Sequence, residues 1–407
     1  MNPCPVDATA LEALGVSRLI PVTPGMSGAQ IFRCAHSTGA PLILRVWAPE
    51  LAEPRLSEIT RLVTVIHSEL PSLVPRVFPL EASALSEMLK PTIDRASPTS
   101  EVLAPSQSVS QSQSVRLHGN LSMQALWGHS GARYWQLFDE MPGDPLPVDA
   151  EQKEVMAGVD ALSRLHGAMS WFGQRREMPL AIRSRLKRLD QVHEILGVEL
   201  SGERALRKLN LNQQFDPRKF PDENCQHGTN QPSEGIQDTG KLTHAISNAI
   251  SIWNQNAVRM KKKLFLQLTT DSSAPMPTQY VLRDIHRENL LFDKGQASGF
   301  FDFDAVRVDT PWADLARWVG SFVVDDQAED SFWLQACERF AATHSVLGSE
   351  DVTWGHGFAK RLHEATQWIS LGNWLVWLCI EQRSFSVPNE VLAKRISRLA
   401  ASVVSKA

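Results

Sequence analysis

The sequence predicts an α+β chain in two lobes, a small strand-bearing N-terminal lobe followed by a larger, mostly helical C-terminal one. Three observations carry this expectation. Apolar runs short enough for strands, Leu19–Val22, Leu42–Trp47 and Tyr134–Asp139, cluster in the N-terminal part. Helical stripes of apolar residues dominate from Gln152 onward. Tyr280 to Val319 reads as strand, loop, short hairpin, strand end, loop and helix, and it delivers Asp284, Asn289 and Asp302 to loop ends beside apolar runs. A chain of 407 residues can bury two modest cores or one large one.

Taken in order, Leu19-Ile20-Pro21-Val22 is a strand candidate, and Gly25-Met26-Ser27-Gly28 is a glycine-bearing turn ahead of Ala29–Arg33. Leu42–Trp47 is a second strand and carries Arg45. Two strands joined through a glycine turn can lay backbone N–H groups over phosphates, although a plain hairpin turn has the same look. Leu51–Leu70 bears a helical stripe at Leu56, Ile59, Leu62, Val63 and Ile66, with Glu58 beside it. Residues 90–116 are rich in Ser and Gln and read as a disordered insertion. Tyr134–Gly143 is an aromatic strand ending in Pro-Gly, which sets the division at residues 1–142 and 143–407.

Gln152–Trp171 is a helix with Val155, Met156, Val159, Leu162 and Leu165 on one face, and His166 reads as a packed structural histidine. Leu180–Leu211 continues as helices whose basic faces read as solvated. Residues 216–240 are polar and rich in Pro, Gly, Asn and Gln, a second insertion. Leu242–Leu268, Phe332–Leu347, His356–Trp377 and Pro388–Val404 read as further helices. Their tryptophans, Trp333, Trp354, Trp368, Trp374 and Trp377, are assigned mainly to core packing rather than to a cage for a quaternary ammonium.

The composition narrows the function classes. A net charge of −4 with no Lys/Arg-rich arm gives no nucleic-acid signature. Five scattered cysteines without a C-x-x-C pair argue against a disulfide framework and a structural zinc site. The N-terminus lacks a signal-peptide pattern, and the best membrane candidate, Trp368–Ile380, is short and interrupted by polar residues. A cytoplasmic protein is the expectation.

Two carboxylates and a carboxamide at loop ends suit one task, gripping magnesium around a phosphate while a base orients a hydroxyl. The spacing D-x-H-x-x-N at Asp284-Ile285-His286-Arg287-Glu288-Asn289 resembles the catalytic loop of the aminoglycoside phosphotransferase and choline kinase family, small-molecule relatives of the protein kinases. Gly299–Asp304 resembles that family's metal-binding strand end, and Asp314-Leu315-Ala316 its following helix start. The resemblance implies a two-lobed protein-kinase-like fold with an antiparallel N-terminal sheet. It also implies ATP or GTP as phosphoryl donor, magnesium, and a small hydroxyl acceptor such as an amino alcohol, aminosugar or aminoglycoside.

Carried over position by position, the resemblance makes Asp284 the group that takes or orients the hydroxyl proton, and Asn289 and Asp302 the magnesium ligands. Arg45 would grip the nucleotide phosphates with Glu58 orienting it, under the turn bearing Gly25, Ser27 and Gly28. Asp314 would brace the catalytic loop, while Asp304 stays open between a supporting and a second-metal carboxylate. The chain departs from the family in carrying Leu282-Arg283 where His-Gly is usual, in a glycine-poor phosphate turn, and in its two insertions. A pseudokinase-like nucleotide-binding protein is the rival expectation.

Overall fold

The computed structural model describes residues 4–22, 29–89, 126–131, 133–199, 234–273, 275–322, 329–344, 347, 351–383, 385 and 387–404. These fall into two compact units, one comprising residues 1–146 and 288–304 and the other 147–287 and 305–407.

The first unit is built on an antiparallel sheet. Strands β1 (Val16–Pro21), β2 (Gln30–His36), β3 (Pro41–Val46), β4 (Val77–Phe78), β5 (Gly128–Ser130) and β6 (Arg133–Asp139) run in the order β1-β2-β3-β6-β4, with β5 paired to β6. Alternation along β3 decides which side chains meet which face. Leu42, Leu44 and Val46 join a core with Phe32, Cys34, Trp135 and Leu137, which α1 (Ala8–Ala13) closes through Leu11. Arg45 belongs to the opposite face, paired in register with Gln136. Helix α2 (Glu53–Glu69) covers that side: Gln136 donates to the Thr60 hydroxyl at 2.9 Å and accepts from Trp47 Nε1 at 3.0 Å. A short helix, α3 (Ala82–Met88), adds Leu85 to the core.

The hairpin of Leu290–Asp293 and Gln296–Phe300 belongs to this unit, whereas a division at 142/143 assigns it to the second. The reason is local bonding. Leu291 and Phe292 pair with the short strand Asp144–Pro145, and Phe300 N donates to Leu73 O at 2.7 Å. Lys294 and Gly295 both have positive φ, 51° and 76°, as a tight two-residue hairpin turn requires.

The second unit is helical: α4 (Gln152–Met169), α5 (Leu180–Glu199), α6 (Glu234–Asp271), α7 (Pro311–Val319), α8 (Glu329–Thr343), α9 (Asp351–Leu375) and α10 (Asn389–Val404). A small antiparallel sheet has Met276–Val281 between Arg175–Glu177 and Arg307–Asp309. Residues 234–240, expected to close the second polar insertion, are helical instead. No proline lies between Pro232 and Pro275, so the amphipathic helix extends back through Gly235 and Gly240 at a cost of about 1 kcal/mol per glycine.

Tryptophans anchor this core, in keeping with the packing assignment. Trp312, Trp318 and Trp368 are fully buried, and Trp253 stacks on Trp368 with centroids 4.2 Å apart. Gly158 of α4 lets α7 approach, since a Cβ there would collide with the Trp318 ring. Gly158→Ala is therefore expected to destabilise the protein by about 1–3 kcal/mol in urea unfolding followed by tryptophan fluorescence. Cys4, Cys34, Cys337 and Cys379 are free thiols, and among the described residues no helix is long and apolar enough to cross a membrane.

Candidate active site

The candidate residues form two sets, one within each unit. In the first, Arg45 leaves the sheet beside the ring of Trp47, its guanidinium 4.2 Å from the ring centroid. Its Nη2 donates to Asp302 Oδ1 at 3.0 Å and to Asp304 Oδ2 at 2.5 Å. Asp302 has φ 64°, a left-handed conformation that costs a non-glycine residue energy and turns the chain directly after the hairpin. Phe301 N donates to Asn289 O at 3.2 Å, which ties the loop carrying Asp302 to the buried Asn289. Burial pushes the Asp304 carboxyl up to about 6, with Arg45 and Arg55 opposing and Asp302 adding to the effect. Its Oδ1 is buried without a hydrogen-bond partner among the described residues.

The expected pairing of Arg45 with Glu58 is corrected. Arg45 pairs with Asp302 and Asp304, while Glu58 Oε2 accepts from Arg55 Nη1 at 2.6 Å. The cause is geometric: Arg55 lies three residues before Glu58 on the same helix face and also donates to Asp304 O at 2.8 Å. Sequence reading missed Arg55, though its i,i+3 spacing to Glu58 was a usable signal. Gly25, Ser27 and Gly28 lie outside the described residues.

In the second unit, Asp314 sits in the first turn of α7, which starts with Pro311 after an extended Thr310. It is fully buried and accepts from Leu282 N at 2.7 Å, Arg283 N at 2.6 Å and His166 Nε2 at 2.9 Å. Those bonds hold the backbone just ahead of Asp284, where Arg283 takes φ 66°. Leu282 is buried beside this brace, and the third donor to Asp314 is a histidine from α4. His166 thus does more than fill space. Its position on the buried face of a helix, with a polar ring needing a partner, was the available hint.

Asp284 forms an ion pair with Arg317 of α7. Arg283 Nε lies 3.1 Å from Asp309 Oδ2, and Asp309 Oδ1 accepts from Ala181 N and Thr310 N, each at 2.9 Å. Asp284 also lines a cavity of about 390 Å³ within this unit, together with residues of α5, α7 and α9. Arg185 and Arg188 of α5 line it too, so part of the basic face read as solvated turns toward this cavity.

The family model for the phosphotransferase enzyme family matches residues 21–345. The chain belongs to the phosphotransferase enzyme family. No curated protein matches it. A solved structure of the amicoumacin kinase hAmiN, in complex with AMP-PNP, Ca2+ and Ami, is similar to this family member. The likeness covers 98% of this chain and 94% of that one, at 11% identity and a TM-score of 0.51. Macrolide 2'-phosphotransferase MphH from Brachybacterium faecium matches at 10% identity over 96% and 92% of the two chains, with a TM-score of 0.44. A thermostable mutant of aminoglycoside phosphotransferase APH(4)-Ia, in a ternary complex with ADP and hygromycin B, matches at 12% over 99% and 98%, with a TM-score of 0.42. The α+β, two-lobed protein-kinase-like fold expected from the sequence is the fold of this phosphotransferase family member.

Proposed function

We propose that this chain transfers the γ-phosphoryl group of ATP or GTP to a hydroxyl of a small molecule, with magnesium. The observation that carries the proposal is the cluster of a buried Arg45 with the half-buried Asp302 and Asp304, a strand cation meeting two carboxylates at the end of a hairpin. The donor set fits magnesium. Asn289 and Asp302 offer hard oxygen ligands, and one or two carboxylates suffice when substrate phosphates and water complete the octahedron. AMP-PNP and Ca2+ in the amicoumacin kinase complex support the nucleotide reading.

In this mechanism the acceptor hydroxyl oxygen forms the new bond to the γ-phosphorus. The bond from that phosphorus to the bridging oxygen breaks, the nucleoside diphosphate leaves with the electron pair, and the hydroxyl proton passes to the Asp284 carboxylate. Asp314 fixes the backbone ahead of Asp284, and Arg45 binds nucleotide phosphate through its planar fork. Magnesium, held by Asn289 and Asp302, would supply charge neutralisation on the phosphates.

The test is nucleotide consumption with Mg2+ across amino alcohols, aminosugars, sugars, sugar acids and aminoglycosides, beside Asp284→Ala and Asp302→Ala. Turnover lost in both variants is the expected result. A second reading, a nucleotide-binding protein without turnover, draws support from the guanidinium of Arg45, which already pairs with both Asp302 and Asp304. Nucleotide binding with no consumption for any acceptor would favour it. Arg45→Ala should weaken ATP binding by roughly 10- to 150-fold, the equivalent of about 1.5–3 kcal/mol for charge-assisted hydrogen bonds, in calorimetric titration.

A further inference from the structure

The cavity beside Asp284 is lined by four guanidinium groups, those of Arg185, Arg188, Arg283 and Arg317, against two carboxylates, Asp284 and Asp309. Both carboxylates are already matched, Asp284 by Arg317 and Asp309 by Arg283. Arg185 and Arg188 are therefore the uncompensated charges. Their protein acceptors are all neutral: Arg185 donates to the Thr366 hydroxyl at 2.9 and 3.0 Å and to Ala181 O at 3.1 Å, and Arg188 donates to Asn373 Oδ1 at 2.8 Å and Gln191 Oε1 at 3.4 Å. Among the described residues neither arginine lies within ion-pair distance of a carboxylate, and both keep N–H groups to offer.

This arrangement is built rather than incidental. Arg185 and Arg188 stand three residues apart on α5, so they share a face. Ile182 and Leu189 on the same helix are fully buried and fix its rotation. Thr366 and Asn373 of α9 hold the two guanidinium planes from the far side. Burial pushes the Arg185 guanidinium down to about 10, with Asp309 opposing and Arg317 and Arg283 adding to the effect, so it stays cationic at neutral pH. An amino alcohol, aminosugar or aminoglycoside entering here would bring its ammonium groups toward surplus positive charge. Planar forks in a partly desolvated cleft suit a carboxylate or a phosphate.

We propose that the acceptor is an anion, a small hydroxylated molecule whose carboxylate or phosphate group is bound by Arg185 and Arg188 while its hydroxyl faces Asp284. The proposal rests on the phosphotransferase reading for its reaction and on the cavity for its substrate class. Arg185 and Arg188 are binding residues in it and take no part in the proton transfer.

The experiment has two arms on the full-length protein. In the first, ATP consumption with Mg2+ is compared across matched acceptors: glucosamine, glucose, gluconate and glucose 6-phosphate, then ethanolamine, glycerol, glycerate and glycerol 3-phosphate. Anionic members are expected to be turned over with at least 30-fold higher kcat/KM than their cationic counterparts, and the better of carboxylate and phosphate names the headgroup. Arg188→Gln should raise KM for the anionic acceptor at least 30-fold, far more than it lowers kcat. Arg188→Lys should recover part of that loss, and Arg188→Glu should erase the preference for anions. In the second arm, gluconate and inorganic phosphate are titrated calorimetrically into protein saturated with Mg2+ and AMP-PNP, which blocks the nucleotide site. Binding that is lost in an Arg185→Gln/Arg188→Gln variant with unchanged thermal unfolding supports the proposal even if no acceptor in the panel is phosphorylated. Preferred turnover of glucosamine or ethanolamine would overturn it while leaving the kinase reading intact. So would failure of both oxyanion probes to bind the wild-type protein.

Discussion

Asp284→Asn is expected to lower kcat by about 10²- to 10⁴-fold, the range for removal of a positioned general base, with nucleotide affinity unchanged. The substitution keeps the size of the side chain and removes its charge and its capacity to take a proton. The Asp284 side chain is 43% exposed, so its ion pair with Arg317 contributes little to folding, and thermal unfolding should move by less than 2 °C. Single-turnover phosphoryl transfer with the best acceptor, read beside calorimetric titration of the nucleotide, separates chemistry from binding. Residual turnover within ten-fold of wild type would remove Asp284 from the reaction.

Asp314→Ala should have the largest effect on stability, about 3–5 kcal/mol, because it strands buried donors. The carboxylate serves two backbone N–H groups and the His166 ring, and of these Leu282 N and the ring are buried away from water. For a unit of this size the loss corresponds to a fall in Tm of roughly 6–20 °C. Asp314→Asn, which presents an amide donor toward N–H donors, should recover little of it. Turnover should fall as well, because the Leu282-Arg283 backbone would no longer be held ahead of Asp284. A shift below 2 °C in both variants would show that the carboxylate is not the brace.

The candidate catalytic stretch could be picked out because its signals are local. Asp284, Asn289 and Asp302 stand at loop ends that strand and turn signals define, and the Lys294-Gly295 turn is written in adjacent residues. Arg45 could be chosen as the strand cation for the same reason. Its partners could not, since Asp302 lies 257 residues further on and nothing in a helical stripe says which neighbour a guanidinium selects. Glu58 was the nearer choice, and Arg55 takes it. The basic face of α5 failed differently. Periodicity tells which residues of a helix are apolar, and it is silent on whether the polar ones meet solvent or a cavity. Arg185 and Arg188 therefore read as ordinary surface charges until α9 supplied Thr366 and Asn373 opposite them.

The interruption of the N-terminal unit by its late hairpin has a consequence for how the chain is made. Every strand of the main sheet has been synthesised by Asp139, but Asp302 and Asp304 are not. At about 5–20 residues per second, roughly 13–50 s separate the emergence of Arg45 from that of its carboxylate partners. For that interval the nascent sheet carries a guanidinium destined for burial with no counter-charge, and Leu73 lacks the backbone bond from Phe300. Translation that stops short of residue 288 leaves that deficit permanent. Ribosomal pausing between the two segments would lengthen the exposure of a half-closed sheet to chaperones and proteases, so codon usage across residues 147–287 bears on yield as well as speed.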